Sequence, residues 1–369
     1  MQRTLYIQLV VSPEQGRAIG VTMALYTACF NAATRFGWDN HTVNGVELHK
    51  GTYATLRAQY PELPSQLVCS SRVKATESLK SVRARLAKGK KASCPLSRLQ
   101  SVRYDARSYT ISLTEGWATL ATVAGRQRVT FDAGFTRLQT WKPTSAELVY
   151  RRNQFWLHVV VESPAPVYTA TGEVVGVDLG IVRPAVTSEA KFFGERRWRN
   201  VEQRYFRLRR ALQAKATRSA SRKLRKLSGK QARFRRDCDH VLSRRLVESV
   251  DPGAVLVFEN LTGIRDRADF GRHGNRRLHG WSFAQLFAFT AYKAEEGGKT
   301  TATVDPRGTS QKCSRCGHVA RGNRVSQSEF RCQKCGFRIN ADLNAGRNVK
   351  GKYLTREAIG VPSGPRQPA

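Results

Sequence analysis

The hydrophobic and polar positions at the start of the chain follow first a two-residue and then a helical period. Leu5, Ile7 and Leu9 alternate with polar residues, and this pattern predicts a strand. Ser12 and Pro13 then supply an N-cap and a first-turn proline for a helix. Two further helices are predicted for YATLRAQYPELPSQLVC and RVKATESLKSVRARLAKGKK. Residues 11–93 are therefore predicted to form a helical region.

From about Cys94 onward the pattern changes to short runs of apolar or alternating residues, separated by Gly, Asn and polar turns. The runs that predict strands are SYTISL, WATLAT, RQRVTF, ELVYRR and QFWLHVVVES. We interpret them as a small β-barrel of residues 1–10 and 94–168, completed by the first strand, with the helical region inserted between barrel strands. Several barrels of this kind bind nucleic acid.

The segment SPAPVYTATG leads into a third region with a different order of elements. EVVGVDLG, RPAVTSE and AKFFGE predict three consecutive strands, and a long basic helical stretch follows from about Arg196 to Val250. AVLVFEN then predicts a strand, WSFAQLFAFTAYKAEEG a helix and KTTATVDP a last strand. This order is that of an RNase H-like α/β fold, here residues 169–310 and 338–354. Residues 355–369 lack a core pattern and are predicted to be a disordered tail. The whole chain is thus predicted to be an α+β multidomain protein.

The net charge adds a class of partner to this outline. The 369 residues include 63 Lys and Arg against 28 Asp and Glu, a formal charge of +35. A polyanion is needed to offset self-repulsion at that charge, and nucleic acid fits best. No apolar run reaches membrane-spanning length and no signal peptide is recognisable, so no membrane partner is expected.

Four of the eight cysteines have the spacing of a metal site. Cys313 and Cys316 form one C-x-x-C pair, and Cys332 and Cys335 form a second. This spacing predicts a structural Zn²⁺ in a ribbon of residues 311–337, with four thiolates closing the tetrahedron. His318 is then not needed as a ligand and is expected to be solvated. The other four cysteines, Cys29, Cys69, Cys94 and Cys238, have no pairing pattern and suit free thiols in a reducing compartment.

Three acidic residues interrupt apolar or helix-like segments. Asp178 ends the strand VVGVD, Glu259 ends the strand AVLVFE, and Asp342 lies just after the ribbon in INADLNAGRNV. In an RNase H-like fold these three positions converge. Three carboxylates there suit Mg²⁺, and two such ions can hydrolyse a phosphodiester. We therefore predict catalytic acids that bind two Mg²⁺, with Asp178 and Asp342 on one ion and Glu259 on the other.

The motifs around the acids and the cysteines resemble the split RuvC nuclease and zinc-ribbon signature of the TnpB family. They are GVDLG, FENL, DPRGTSQKCSRCG, CQKCG and NADLNAGRN. TnpB proteins are RNA-guided nucleases of bacterial insertion sequences and are related to type V CRISPR effectors. The resemblance extends over nearly the whole chain, and its motifs are most specific in the last third. All three acids stand at matching positions.

The resemblance implies an RNA-guided DNA endonuclease encoded by a transposable element, in the bacterial cytoplasm and associated with the nucleoid when bound to DNA. One chain would bind one noncoding guide RNA, whose guide portion pairs with a strand of double-stranded target DNA next to a short motif. The barrel and the helical insertion would grip the guide duplex and the adjacent motif, and the single nuclease site would cut both strands. The protein would place Lys and Arg along the phosphate backbone of the guide duplex, whose sequence is read by base pairing and not by the protein. This would explain the +35 charge.

Other hypotheses remain open at this point. A nuclease-dead relative would act as an RNA-guided repressor, although such a protein is expected to lose one of the acids. A transposase or resolvase acting on DNA ends would also use three acids. A basic RNA-binding or ribosome-associated protein would need none. Arg307 and Thr309 are predicted to contact substrate, and four tryptophans could stack on bases, although Trp156 is expected in the core: Trp117, Trp141, Trp156 and Trp281.

Overall fold

The computed structural model describes residues 1–134, 138–267 and 271–358, and the chain divides into two units at the proline-containing segment SPAPVYTATG. The first unit is Met1–Pro164 and the second is Ala165–Ala369. Within the described residues, none of the helices has both the length and the apolar composition needed to cross a membrane.

The first unit contains two antiparallel sheets and three helices. A four-stranded sheet has the order β1-β7-β6-β2, and a three-stranded sheet has the order β3-β4-β5. A backbone bridge between Val10 and Thr130 extends the chain after β1 onto β5. The strands are β1 (Gln2–Gln8), β2 (Val102–Tyr104), β3 (Tyr109–Ser112), β4 (Trp117–Thr122), β5 (Gly125–Thr130), β6 (Lys142–Arg151) and β7 (Gln154–Glu162).

The three helices of this unit are α1 (Pro13–Asp39), α2 (Gly45–Gln59) and α3 (Ser65–Leu86). Ser12 caps α1 as predicted, because its side chain accepts a hydrogen bond from the backbone N–H of Gln15. The prediction of one helix through YATLRAQYPELPSQLVC was wrong. Proline cannot donate to a helix ladder and restricts the residue before it, so Pro61 and Pro64 separate α2 from α3.

Alternation along the strands places one face of each sheet in the core. Leu5 and Ile7 of β1 are buried as predicted, and they lie in register with Val159 and Leu157 of β7. Trp156 is adjacent to Leu157 and therefore points to the opposite face. It is half-buried and lies outside the core cluster, so its assignment to the core was wrong.

The second unit is built on a five-stranded sheet with the order β10-β9-β8-β11-β12. Its strands are β8 (Val174–Asp178), β9 (Ala185–Thr187), β10 (Phe192–Phe193), β11 (Val255–Glu259) and β12 (Thr300–Val304), with a small hairpin of β13 (Glu329–Arg331) and β14 (Arg338–Asn340). β8, β9 and β10 pair antiparallel, whereas β11 runs parallel to both β8 and β12. The predicted order of these strands is confirmed.

The helices of this unit are α4 (Arg196–Ala214), α5 (Arg218–Glu248), α6 (Ile264–Arg267), α7 (Gly271–Gly280), α8 (Phe283–Glu296) and α9 (Ala341–Ala358). The single long helical stretch predicted after β10 is instead two helices, α4 and α5. Ala216 adopts a positive φ of 48° between them, and the Thr217 side chain caps α5. Glu202 of α4 accepts hydrogen bonds from Gln231 and Arg235 of α5, which holds the two helices together.

The last helix extends beyond the predicted start of the tail. α9 continues through Ala358, so the first four residues of the predicted disordered segment 355–369 are helical. Residues 359–369 of that segment lie outside the described residues. The helix runs on because TREA contains no residue that terminates a helix, whereas Gly360 and Pro362 come only later.

Candidate active site and cysteine cluster

Two of the three predicted acids lie at the carboxyl ends of adjacent parallel strands. β8 and β11 are in register, with Val177 opposite Phe258, so the next residues, Asp178 and Glu259, end the two strands side by side. All four residues before each acid are buried. The apolar run therefore fixes the strand in the core, and the carboxylate projects from its end.

The third acid is delivered by α9, which lies against β8 at unusually close range. Gly176 of β8 has no side chain, and a Cβ there would overlap the carbonyl oxygen of Gly346 and approach the Lys350 nitrogen to 2.5 Å. Gly346 in turn faces β9, where its Cβ would lie 3.2 Å from the Val186 oxygen. These two glycines let backbone approach backbone, and the first turn of α9, with Asp342, thereby reaches the strand ends.

The start of α9 is fixed by a side-chain cap from the preceding strand. The Asn340 side-chain oxygen accepts hydrogen bonds from the backbone N–H groups of Asp342 and Leu343 at 3.1 and 3.2 Å. Asp342 is only 6% exposed. The carboxylate is therefore held in one place at the N-terminal end of the helix.

The electrostatics indicate that Asp178 lies near both of the other acids. Burial raises the pKa of Asp178 well above its usual range, and the neighbouring carboxylates of Glu259 and Asp342 raise it further. Burial also raises the pKa of Glu259, against the opposing effects of the Thr309 hydroxyl and the cations Lys352 and Arg324. A pocket of this kind favours a bound cation, and hard oxygen ligands suit Mg²⁺.

Sequence reasoning missed Arg324, which reaches this pocket from the segment between the two cysteine pairs. Its Nη2 atom lies 3.1 Å from Asp342 Oδ1 and also donates to the Gln327 carbonyl oxygen at 3.1 Å. The positive charge lowers the pKa values of both Asp178 and Glu259. No pattern in the sequence distinguishes this arginine from the others around the cysteines.

Thr309 differs from what was expected, whereas the substrate contact expected of Arg307 stays a prediction. Thr309 is 2% exposed, and its hydroxyl donates to Glu259 Oε1 and to the Pro306 carbonyl oxygen. The prediction that it contacts substrate was wrong in this respect, because the side chain is buried against the acid. The Arg307 side chain is exposed, while its carbonyl oxygen accepts a hydrogen bond from Lys352 Nζ.

The four predicted cysteines come together in one cluster, with all four sulfur atoms within 4.8 Å of one another. The Sγ atoms of Cys313 and Cys335 are 3.8 Å apart, and those of Cys316 and Cys332 are 3.6 Å apart. A tetrahedron with Zn–S bonds of about 2.3 Å has edges of about 3.8 Å, so the thiols fit Zn²⁺. Within the described residues, the His318 ring is not part of this cluster.

Each cysteine pair lies on a turn with the same backbone hydrogen bonds. The Gly317 N–H donates to the Cys313 carbonyl oxygen and the Gly336 N–H to that of Cys332. Both glycines have positive φ, 76° and 70°, which residues with a side chain rarely adopt. The backbone N–H of Cys335 points at Cys332 Sγ and lowers the pKa of that thiol, which favours the thiolate that a metal binds.

Two models of known families match parts of the chain. The model described as a probable transposase matches residues 158–261, which include Asp178 and Glu259. The model described as Cas12f1-like, TNB domain, matches residues 283–349, which include the four cysteines and Asp342.

Curated relatives match parts of the chain. A CRISPR-associated endodeoxyribonuclease Cas12f1 of Sulfoacidibacillus thermotolerans is 41% identical over 33% of this chain and 28% of its own length. A putative RNA-guided DNA endonuclease, InsQ, of Escherichia coli K12 is 31% identical over 51% of this chain and 50% of its own length. A TnpB-like protein of Aquifex aeolicus is 36% identical over 27% of this chain and 34% of its own length. The chain thus spans half or less of these relatives.

A solved structure shares the fold over a longer range. The mini-RNA-guided endonuclease CRISPR-Cas phi3 superposes with a TM-score of 0.52 at 10% identity, over 99% of this chain and 93% of that one. At this identity the likeness concerns the α+β multidomain fold alone. Taken together, the two family models and the curated relatives show that the regions around the acids and the cysteines are similar to those of TnpB-like and Cas12f1 proteins.

Proposed function

We propose that the chain is an RNA-guided DNA endonuclease encoded by a transposable element, which cuts double-stranded DNA at a RuvC-like site. One observation carries the proposal: β8, β11 and α9 bring Asp178, Glu259 and Asp342 near one another, and burial together with the charges of Glu259 and Asp342 raises the pKa of Asp178, which a bound cation would offset. The names of the relatives, which include RNA-guided and CRISPR-associated DNA endonucleases, support the choice of reaction and partner.

In this proposal, the nuclease region is an RNase H-like domain of residues 169–310 and 338–354, with a Zn²⁺ ribbon of residues 311–337 inserted in it. Three strands in antiparallel order followed by two parallel strands support the assignment. Residues 1–10 and 94–168 would form the barrel and residues 11–93 the helical insertion that grip one guide RNA and its DNA target. The proposed cleavage would take place in the bacterial cytoplasm, at the nucleoid, because the substrate is DNA.

The acids would hold two Mg²⁺ ions, with Asp178 and Asp342 on one and Glu259 on the other. When bound, these ions would supply activation of the attacking water and charge stabilisation of the leaving oxygen. Thr309 orients the Glu259 carboxylate by donating a hydrogen bond to it. Arg324 holds Asp342 and adds a positive charge, which favours approach of a phosphate.

The test is a gel shift beside a cleavage assay, with wild type and the variants Asp178→Ala, Glu259→Ala and Asp342→Ala loaded with the same copurified RNA. Each variant should bind target DNA but cut neither strand, because metal ligands act as a unit and losing one is nearly as severe as losing all. Cutting that persists in any variant would remove that residue from the site. A wild type that binds guided DNA with Mg²⁺ present and cuts nothing would instead indicate a repressor.

A further inference from the structure

Two buried asparagines of α9 play no part in the mechanism above, yet both make hydrogen bonds across the fold. Asn344 and Asn348 are 0% and 5% exposed and stand one helical turn apart. Together they contact the backbone of the loop from Thr309 to Ser314, which follows β12 and includes Cys313, the first residue of the first cysteine pair. We name this segment the 309–314 loop.

The hydrogen bonds use the side-chain groups of both asparagines in a defined orientation. Asn344 Nδ2 donates to the Lys312 carbonyl oxygen at 2.8 Å, and Asn344 Oδ1 accepts from the Ser314 N–H at 3.0 Å. Asn348 Nδ2 donates to the carbonyl oxygens of Thr309 and Lys312 at 2.8 and 2.6 Å. The Lys312 oxygen thus receives two donors, and the loop is fixed to the helix over its whole length.

The same loop contacts the second acid-bearing strand. Thr309, whose carbonyl oxygen Asn348 holds, donates its hydroxyl to Glu259 Oε1 at the end of β11. Asp342 lies on the first turn of α9, the helix that carries both asparagines. A continuous path of side-chain and backbone hydrogen bonds therefore runs from Glu259 through Thr309 and Asn348 to the helix of Asp342.

We propose that Asn344 and Asn348 are positioning residues that fix the 309–314 loop to α9, so that Glu259 and Asp342 are held at the separation that divalent metal binding requires. The inference rests on the proposed nuclease function and assigns these residues a part in its metal site. Side chains that orient metal ligands from behind typically change metal affinity 10–100-fold when they are altered.

The change Asn348→Asp keeps the size of the side chain but replaces the donor that two carbonyl oxygens share with an acceptor. Repulsion between the new carboxylate and those oxygens should move the loop away from α9. Asn348→Ser removes the reach of the donor without adding charge and serves as the milder variant. Asn200→Asp makes the same chemical change at an exposed position of α4 and is the matched control.

The first measurement is the affinity for Mn²⁺, monitored by electron paramagnetic resonance on the full chain. The Zn²⁺ content of each protein is determined as well, and Asp178→Ala gives the baseline. We expect a 10–100-fold weaker Mn²⁺ affinity in Asn348→Asp, a smaller loss in Asn348→Ser and no change in Asn200→Asp. Cleavage should then need correspondingly more Mg²⁺ while guide RNA binding stays at the wild-type level. Hydrogen exchange at Ser314 should be faster in Asn344→Ala, because its amide loses its acceptor.

The outcomes separate this inference from the proposed function. Wild-type Mn²⁺ affinity in Asn348→Ser and Asn348→Asp, with full Zn²⁺ content, would overturn the positioning role. Loss of Zn²⁺ from both variants would overturn it as well, since the asparagines would then serve the folding of the ribbon. A wild type that binds Mn²⁺ at the acids but cuts no guided target would overturn the nuclease function, and the comparison of Mn²⁺ affinities would still test the asparagines.

Discussion

At the scale of single residues, the buried carboxylate of Asp178 lowers the stability of the metal-free fold when it is ionised. Burial and two neighbouring carboxylates raise the pKa of Asp178 above its unfolded-state value, so ionising this group disfavours the folded state. The contribution of Asp178 to the free energy of unfolding is therefore greatest below its pKa in the unfolded chain. It falls as pH rises towards the pKa in the folded protein and is constant above that pKa. A bound cation removes this penalty, which is why the metal-free and metal-bound proteins should differ in stability.

Asp178→Asn should therefore stabilise the metal-free protein while abolishing cleavage. The substitution removes a buried like charge without changing the shape of the side chain, and relief of this kind is worth roughly 1–2 kcal/mol. Thermal melts in the presence of a chelator measure it, with Asp237→Asn on the exposed face of α5 as the control. A lower melting temperature for Asp178→Asn would show that its carboxylate makes hydrogen bonds that the fold needs.

The pH dependence of cleavage should respond to Thr309. Protons compete with metal at Asp178 and Glu259 because both pKa values are raised, so activity should fall on the acid side, and added Mg²⁺ should move that limb to lower pH. Thr309→Val removes a hydrogen bond that lowers the pKa of Glu259, so its acid limb should lie at higher pH than that of wild type. Identical pH–rate profiles for the two proteins would mean that Glu259 does not titrate in the reaction.

At the scale of elements, the packing of α9 on β8 decides where Asp342 lies. The two glycines at this contact place backbone against backbone, which a side chain cannot relieve by changing its rotamer. Elsewhere on the same helix Gly351 has no atom within 4 Å of where its Cβ would be. The helix thus carries both a glycine that the packing requires and one that it does not.

Gly176→Ala should destabilise the second unit by about 2–4 kcal/mol and abolish cleavage, because the helix must move away from the strand. Gly351→Ala should raise stability by roughly 0.5–1 kcal/mol through helix propensity and leave cleavage unchanged. Chemical denaturation of the two variants beside wild type makes the comparison. Equal stability of Gly176→Ala and wild type would contradict the close approach.

Removal of zinc should act on α9 through the small hairpin. Cys332 and Cys335 lie in the turn between β13 and β14, and Asn340 at the end of β14 supplies the cap of α9. Cys313→Ser should lower Zn²⁺ content and cleavage far more than it lowers the helical signal of the whole chain, since a structural zinc is worth on the order of 10 kcal/mol to its module. Metal analysis, circular dichroism and a cleavage assay together check this, and full cleavage without Zn²⁺ would contradict it.

At the scale of the whole molecule, the excess of positive charge is concentrated on one pair of helices. α4 contains seven Arg and α5 eleven Lys or Arg, against one and three acidic residues, so the pair carries eighteen basic side chains and four acidic ones. Most of the basic side chains are exposed, and α4 has no buried residue. Such a surface is suited to a polyanion that lies along the helices.

Binding of RNA should therefore weaken steeply as salt concentration rises, with a slope set by the number of phosphates that the protein neutralises. Replacing four exposed arginines with alanine should reduce the slope of log K against log salt by up to about 3, because each phosphate left without its cation lowers the slope by roughly 0.7–0.9. The four are Arg207, Arg210, Arg222 and Arg225. An unchanged slope, measured by filter binding at several salt concentrations, would place the RNA on another surface.

Residue patterns predicted those features that depend on local periodicity or spacing. The strands β8 and β11 were recognisable as apolar runs that end in an acid, and the cysteine cluster was recognisable from its spacing. The break between α4 and α5 was not, because LQAKATRS contains neither Gly nor Pro. Arg324, Asn344 and Asn348 were also missed, since their partners are backbone oxygens or an acid distant in sequence.

Asn340 also limits how this region can vary in length among related chains. It is the last residue of β14 and also caps α9. The seven residues from Cys335 to Asp342 therefore connect the hairpin to the helix without a flexible linker. One inserted residue there would rotate the helix by about 100° relative to the hairpin and turn Asp342 away from the strand ends. Insertions and deletions should therefore be rare between Cys335 and Asp342.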